Sequence, residues 1–244
     1  MITLNFLDLE ILYIIISLIL FSLTTCKQEK ALYKAVVYTD VAFLQKKDSL
    51  LVDSIQQVKQ NGFIRIFEQD SKSFEQGLLL NGMKVGKWQK YFDPINQNNK
   101  SQEYLYSNKG KLIKARTFDS KTQKIIEERN YLNDNLVGIQ QDFYPIGSLH
   151  IKFETDLNGH FINHYIVLSQ EGKKIYQTSL GQEGTGYIKY YDQTNHLIWE
   201  GPFKNKKKEG WHYQYLIDHE GKTTEKQSDY YKEDSLIQTK TEIF

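Results

Sequence analysis

Six histidines, at positions 150, 160, 164, 196, 212 and 219, are scattered along the chain. His160 and His164 stand four apart in HFINHY. On a helix that spacing chelates a metal ion. On a strand the two share a face but lie about 13 Å apart, too far for one ion, and polar strand positions are expected. Carboxylates pair as Glu127-Glu128 and Glu233-Asp234. Acids that cooperate across a glycosidic bond must converge, whereas neighbours on a strand point apart, so solvated charge is expected of both pairs. Lys204, Lys206, Lys207 and Lys208 form a basic cluster offset by Glu200 and Glu209, which reads as a soluble turn. The chain contains no G-x-S-x-G, phosphate-binding loop, dinucleotide glycine fingerprint or H-E-x-x-H. No catalytic residue, metal or cofactor is assigned.

The sharpest binding candidates are aromatic: Trp88, Tyr91, Tyr187, Tyr191, Trp211, Tyr213 and Tyr215. Rings on an open sheet stack on sugars or peptides. In a single-layer repeat sheet they also supply most of the core, and packing is the stronger expectation. Aromatic residues make up 14% of the chain and prolines number 3, a mix that favours strands. The formal net charge of +1 gives no reason to expect a nucleic-acid partner.

These residues sit in a repeat. A glycine is followed five places later by an aromatic at Gly62, Gly86, Gly138, Gly186 and Gly210, leading to Phe67, Tyr91, Phe143, Tyr191 and Tyr215. The glycine spacings are 24, 52, 48 and 24, or one, two, two and one periods of about 25. Asn81, Asn133 and Asn205 each precede a repeat glycine by five places. After Gly210, Trp211, Tyr213 and Tyr215 point one way and His212, Gln214 and Leu216 the other, the alternation of a strand. Turn stretches such as DHEGK and DQTNH follow, and N-x-x-x-x-G closes the unit. A lone hairpin is marginal in water, but stacked hairpins shield each other.

The stretch EGPFKNKKKEGWHYQY, residues 200–215, resembles the bacterial variant of the MORN repeat, the type of the YwqK-like antitoxin family. Glu200, Gly201, Phe203, Asn205, Gly210 and Tyr215 carry the likeness. Gly77, Asn81, Gly82, Gly86, Trp88 and Tyr91 carry a second copy, and Glu128, Tyr131, Asn133, Gly138 and Phe143 a poorer third. The copies expected near 110 and 162 keep glycines without the full pattern. The resemblance implies a mainly β fold: antiparallel hairpins of about 24–26 residues stacked into an extended or curved sheet. It implies no antitoxin chemistry.

The N-terminus reads differently. Residues 11–23 run 13 positions without a charge, too short to span a bilayer and well sized for a secretory h-region. The run ends in SLTTC, which resembles the lipobox of bacterial lipoproteins and makes Cys26, the only cysteine, the lipidated first residue of the mature chain. Removal of residues 1–25 takes away Asp8 and Glu10 and leaves a net charge of about +3, from 31 basic and 28 acidic residues.

The expected organisation is a lipoprotein signal at 1–25, a tether at 26–33, a cap at 34–61, the MORN-like array at 62–222 and a decayed half-unit at 223–244. In the cap, YKAVVYTDVAFL suits a strand, and Leu51, Ile55 and Val58 predict a short helix ended by Asn61-Gly62. The functional expectation is a non-catalytic, membrane-anchored interaction or scaffold module of the bacterial cell envelope, with the outer membrane as destination. Its partners would be the membrane, through Cys26, and an envelope protein. The alternative is a glycan-binding surface lipoprotein, and the remaining one a hydrolase hidden in residues 95–180.

Overall fold

Alternation with a period of two persists along the chain, and the structure is built of antiparallel strands. This computed structural model describes residues 33–52, 54, 57–68, 73–92 and 99–244. Cys26, the apolar run before it and the tether as far as residue 32 lie outside the described residues, and Tyr33, assigned to the tether, opens the first strand. The strands are β1 (Tyr33–Tyr38), β2 (Lys46–Val52), β3 (Gly62–Glu68), β4 (Phe74–Leu80), β5 (Met83–Tyr91), β6 (Lys100–Tyr106) and β7 (Leu112–Phe118). They continue as β8 (Ile125–Leu132), β9 (Asn135–Leu136), β10 (Gly138–Phe143), β11 (Leu149–Thr155), β12 (Phe161–Leu168) and β13 (Lys174–Thr178). The last are β14 (Gly186–Tyr191), β15 (Leu197–Lys204), β16 (Lys207–Lys208), β17 (Gly210–Ile217), β18 (Thr223–Lys232) and β19 (Ser235–Ile243).

β1 to β13 form one 13-stranded sheet in which strands neighbour one another almost in chain order. The exceptions are β1, which inserts between β2 and β3, and the two-residue β9, which pairs with β8 while β10 also neighbours β8. β14 to β19 form a second, six-stranded sheet. Between the sheets the chain passes Gly181 and Gly184, both in the left-handed region (φ 65° and 62°). One core cluster, Ala35, Val37, Val52, Val58, Ile64, Ile66, Leu79 and Trp88, fills the start of the first sheet. A second joins the sheets: Ile151, Phe153, Tyr165, Val167 and Leu180 meet Ile188, with Trp199 and Phe203 packed on them.

The expected helix does not form over Ser49, Leu50, Leu51 and Val52, which belong to β2. Val52 is buried and Leu50 packs on the core while Leu51 is 72% exposed, so period two prevails over the helical spacing. The reason is pairing: Leu50 and Val52 align with Ala35 and Tyr33 of β1. Ile55 lies outside the described residues, among which no α-helix occurs.

Two kinds of turn join the strands. In the tight kind both central residues have positive φ: Asn81 and Gly82, Asn133 and Asp134, Asn205 and Lys206, Glu233 and Asp234. Such turns match the twist of the flanking strands. Glu233 and Asp234 therefore form a turn and do not alternate along a strand. In the wider kind an Asp or Ser ties the loop to itself. Asp218 Oδ1 accepts from the N–H groups of Glu220 and Lys222, both at 2.9 Å. Asp156 and Asp192 do the same for Asn158 and His160 and for Thr194 and His196. Gly110 and Gly159, which the 25-residue grid assigned to degenerate copies, are the left-handed residues of wider turns. Neighbouring units bond through their turns: Ser148 Oγ donates to Gln170 O, Asn135 Nδ2 to Leu157 O, and Glu233 N to Glu209 Oε2, across 22 to 24 residues.

Candidate functional site

The repeat glycine places the rings. In three units the strand after the tight turn gains two residues over its partner. Leu78 faces Val85 yet Gln76 faces Gln89; Tyr131 faces Leu136 yet Glu128 faces Gln141; Phe203 faces Lys208 yet Glu200 faces Tyr213. The surplus falls at Gly86, Gly138 and Gly210, with φ of 64°, 76° and 84°. Gly62 and Gly186 instead open β3 and β14. In all five cases the residue two places after the glycine is buried: Ile64, Trp88, Gln140, Ile188 and His212 are at most 2% exposed. Trp88 lies flat on Gly77 and His212 on Gly201, where an added Cβ would in each case come within 2.5 Å of ring atoms, closer than van der Waals contact allows.

Trp88 and Tyr91 are core residues and offer no ring to solvent. Tyr191 is half-buried and packs on the cluster between the sheets. Tyr187, Trp211, Tyr213 and Tyr215 are brought together, half-buried, on the second sheet. Pairing fixes which face they share. Glu200 faces both Lys189 and Tyr213; Trp211 faces Tyr230; Tyr213 faces Ser228; Tyr215 faces Lys226; Ser228 faces Lys240. Partners across antiparallel strands point the same way. Ile188, Trp199, Phe203 and His212 alternate with these residues and turn toward the shared core, so the aromatic face is turned away from it.

The face is a built array. Tyr215 donates its hydroxyl to Glu200 Oε1 at 2.7 Å, and Lys189 Nζ lies 3.3 Å from Glu200 Oε2. Burial, reinforced by Glu200, pushes the Tyr187 hydroxyl up to about 12 and that of Tyr215 higher still, so both stay protonated donors. Lys226 Nζ sits 4.4 Å from the Tyr213 ring centre and Lys240 Nζ 5.1 Å from that of Trp211, while Trp211 and Tyr230 meet edge to face at 5.3 Å. Tyr230, Lys189, Lys226 and Lys240 were not singled out in the sequence. Only their cross-strand register reveals them.

Several ionisable groups elsewhere are occupied by neighbours. Glu127 and Asp142 face each other across β8 and β10, and both pair with Arg129 Nη2, at 2.7 and 2.6 Å. Burial raises the Asp142 carboxyl, and Arg129 opposes that rise. On the first sheet, burial of Glu103 is more than offset by Lys87 and Lys100, at 2.8 and 2.9 Å, which hold its carboxyl at about 2. His160 lies in a turn against Asp156, and His164 is 75% exposed on a bulge of β12 with φ of 55°. In the basic cluster, Lys206 pairs with Asp156, Lys207 with Glu233, and Lys208 lies 4.7 Å from the Tyr231 ring centre. Among the described residues no group of three or more His, Cys, Asp or Glu is placed to hold a metal ion. A cavity of about 410 Å³ opens between the β1–β2 loop and β3 to β5, lined by Phe43, Phe63, Leu78 and Val85 and by Arg65, whose Nε donates to Gln76 at 2.8 Å. Set against known proteins, the chain matches no family model and no curated protein.

Proposed function

We propose that this chain is a non-catalytic lipoprotein of the bacterial cell envelope, anchored through Cys26, whose MORN-like hairpin array docks a protein partner on the aromatic face of its second sheet. The observation that carries this reading is the patch of Tyr187, Trp211, Tyr213, Tyr215 and Tyr230 interleaved with Lys189, Lys226 and Lys240. Half-exposed rings give contact area at low entropic cost, and lysines beside them favour a partner that brings carboxylates. Two of the ring faces already carry an ammonium, on Tyr213 and Trp211, which favours an acidic protein surface over a stacked sugar. The lipobox resemblance at Cys26 supports the anchor.

The test is metabolic labelling with a palmitate analogue in the wild type and in Cys26→Ala, followed by photo-cross-linking from position 213. Label in the wild type alone, and a discrete cross-linked protein lost in Lys226→Glu, are expected. Absence of label sinks the anchor, and absence of a cross-linked protein sinks the docking face. Retention on envelope polysaccharide, lost in Trp211→Ala with the fold intact, would turn the reading to glycan binding.

A further inference from the structure

The outer edge of β19 is unpaired among the described residues. All nine of its residues are exposed. From Gln238 to Ile243 it runs beside β18 without a register shift, so no bulge or proline blunts it. A straight edge of this kind is a template for another strand.

The phase of that edge is fixed. Phe244 N donates to Thr224 O at 2.9 Å, so residues 240, 242 and 244 turn their main-chain groups toward β18. Thr239, Thr241 and Ile243 turn theirs outward. Charge then selects a register. Two copies of β19 pairing antiparallel about a twofold axis at Lys240 would oppose lysine to lysine, and an axis at Glu242 would oppose glutamate to glutamate. An axis at Thr239 sets Lys240 against Gln238. An axis at Thr241 sets each Lys240 against Glu242 of the other copy, twice, in close non-hydrogen-bonded pairs, while the outward groups of residues 239, 241 and 243 all find partners.

We propose that β19 pairs edge to edge with β19 of a second copy of this chain, in antiparallel register centred on Thr241. The contact is isologous and joins the two six-stranded sheets into one. Its hydrogen bonds come from main-chain groups, while Lys240, which helps to set the register, also borders the aromatic face; the Glu242→Lys and Thr241→Cys variants test the edge without altering that face's lysines.

Sedimentation of the full chain in detergent tests this. The wild type is expected to dimerise reversibly, Lys240→Glu and Glu242→Lys each to weaken the dimer roughly tenfold, and the double reversal to restore it. Circular dichroism reports whether each variant is folded. A separate measurement needs no charge change: in the Cys26→Ala background, Thr241→Cys should be bridged across the axis by a short bis-maleimide, because paired Cα atoms there lie about 5.5 Å apart. A wild type that stays monomeric at its highest soluble concentration overturns the proposal. So does a dimer indifferent to both single reversals, or an absent cross-link at 241.

Discussion

The Gly77–Trp88 and Gly201–His212 units share one backbone and solve its central problem differently. In each, a two-residue surplus after a tight turn folds a side chain flat onto a glycine of the neighbouring strand. In the first, the side chain is an indole whose Nε1 donates to Leu78 O at 3.0 Å, with Lys84 Nζ 4.6 Å from the ring centre. In the second it is an imidazole enclosed by Trp199, Phe203 and Tyr231, and neither ring nitrogen has a hydrogen-bond partner. The unit between them abandons the pair altogether. Arg129 replaces the glycine, and the buried Gln140 accepts from Asn130 N and donates to Val137 O. The kink is therefore the invariant of the architecture, and the filler is free to change provided its polar atoms are dealt with.

The comparison can be broken most forcefully at its apolar end. Trp88→Ala should lower unfolding stability by about 3–5 kcal/mol in urea titrations, since the ring is completely buried and the slot cannot collapse onto Gly77. A loss below about 1 kcal/mol would mean that the slot is not part of the core.

At the other end the sign reverses. His212→Phe should raise stability by about 1 kcal/mol, because it exchanges two unpartnered ring nitrogens for carbon at similar volume. Destabilisation would show that a nitrogen of His212 is satisfied after all.

The finest distinction is made by pH. Burial, aided by Lys208, lowers the His212 pKa, and burial lowers that of His150. Below the ordinary histidine value of about 6.5 the unfolded chain takes up protons that the folded chain refuses. Stability should therefore fall as the pH drops from about 6.5 toward 5, and His212→Phe should flatten part of that slope. The window is clear of Glu103, whose contribution is kept above about 4.5 and lost only as the pH falls toward its folded value of about 2. A wild-type profile flat between pH 7 and 5 would remove the histidines from the account.

Much of this was legible in the sequence, for reasons that differ by residue. Asn81, Asn133 and Asn205 announced left-handed turns because few other side chains tolerate them, and Gly86, Gly138 and Gly210 announced the kink. Glu233 and Asp234 adopt the same turn without either signal, and the turn was invisible. The alternation after Gly210 separated Trp211, Tyr213 and Tyr215 from His212 correctly, yet periodicity cannot say which side faces the core, and the histidine side does. The candidate face was half legible: its rings stood out, but its lysines come from strands whose register is decided by pairing. The insertion of β1 between β2 and β3 leaves no local mark at all, and the break into two sheets after β13 is marked only by the glycines of the connecting stretch, Gly181 and Gly184.

The hydrogen bonds that tie several turns to their neighbours across 22 to 24 residues limit how such a chain can vary. Losing or adding one residue inside a unit would throw its turn out of reach of both neighbours and reverse the inward and outward sides of a strand. A whole pair of strands can be gained or deleted with the ladder intact. Length in this molecule is thus quantised, and its natural variants should differ by complete rungs.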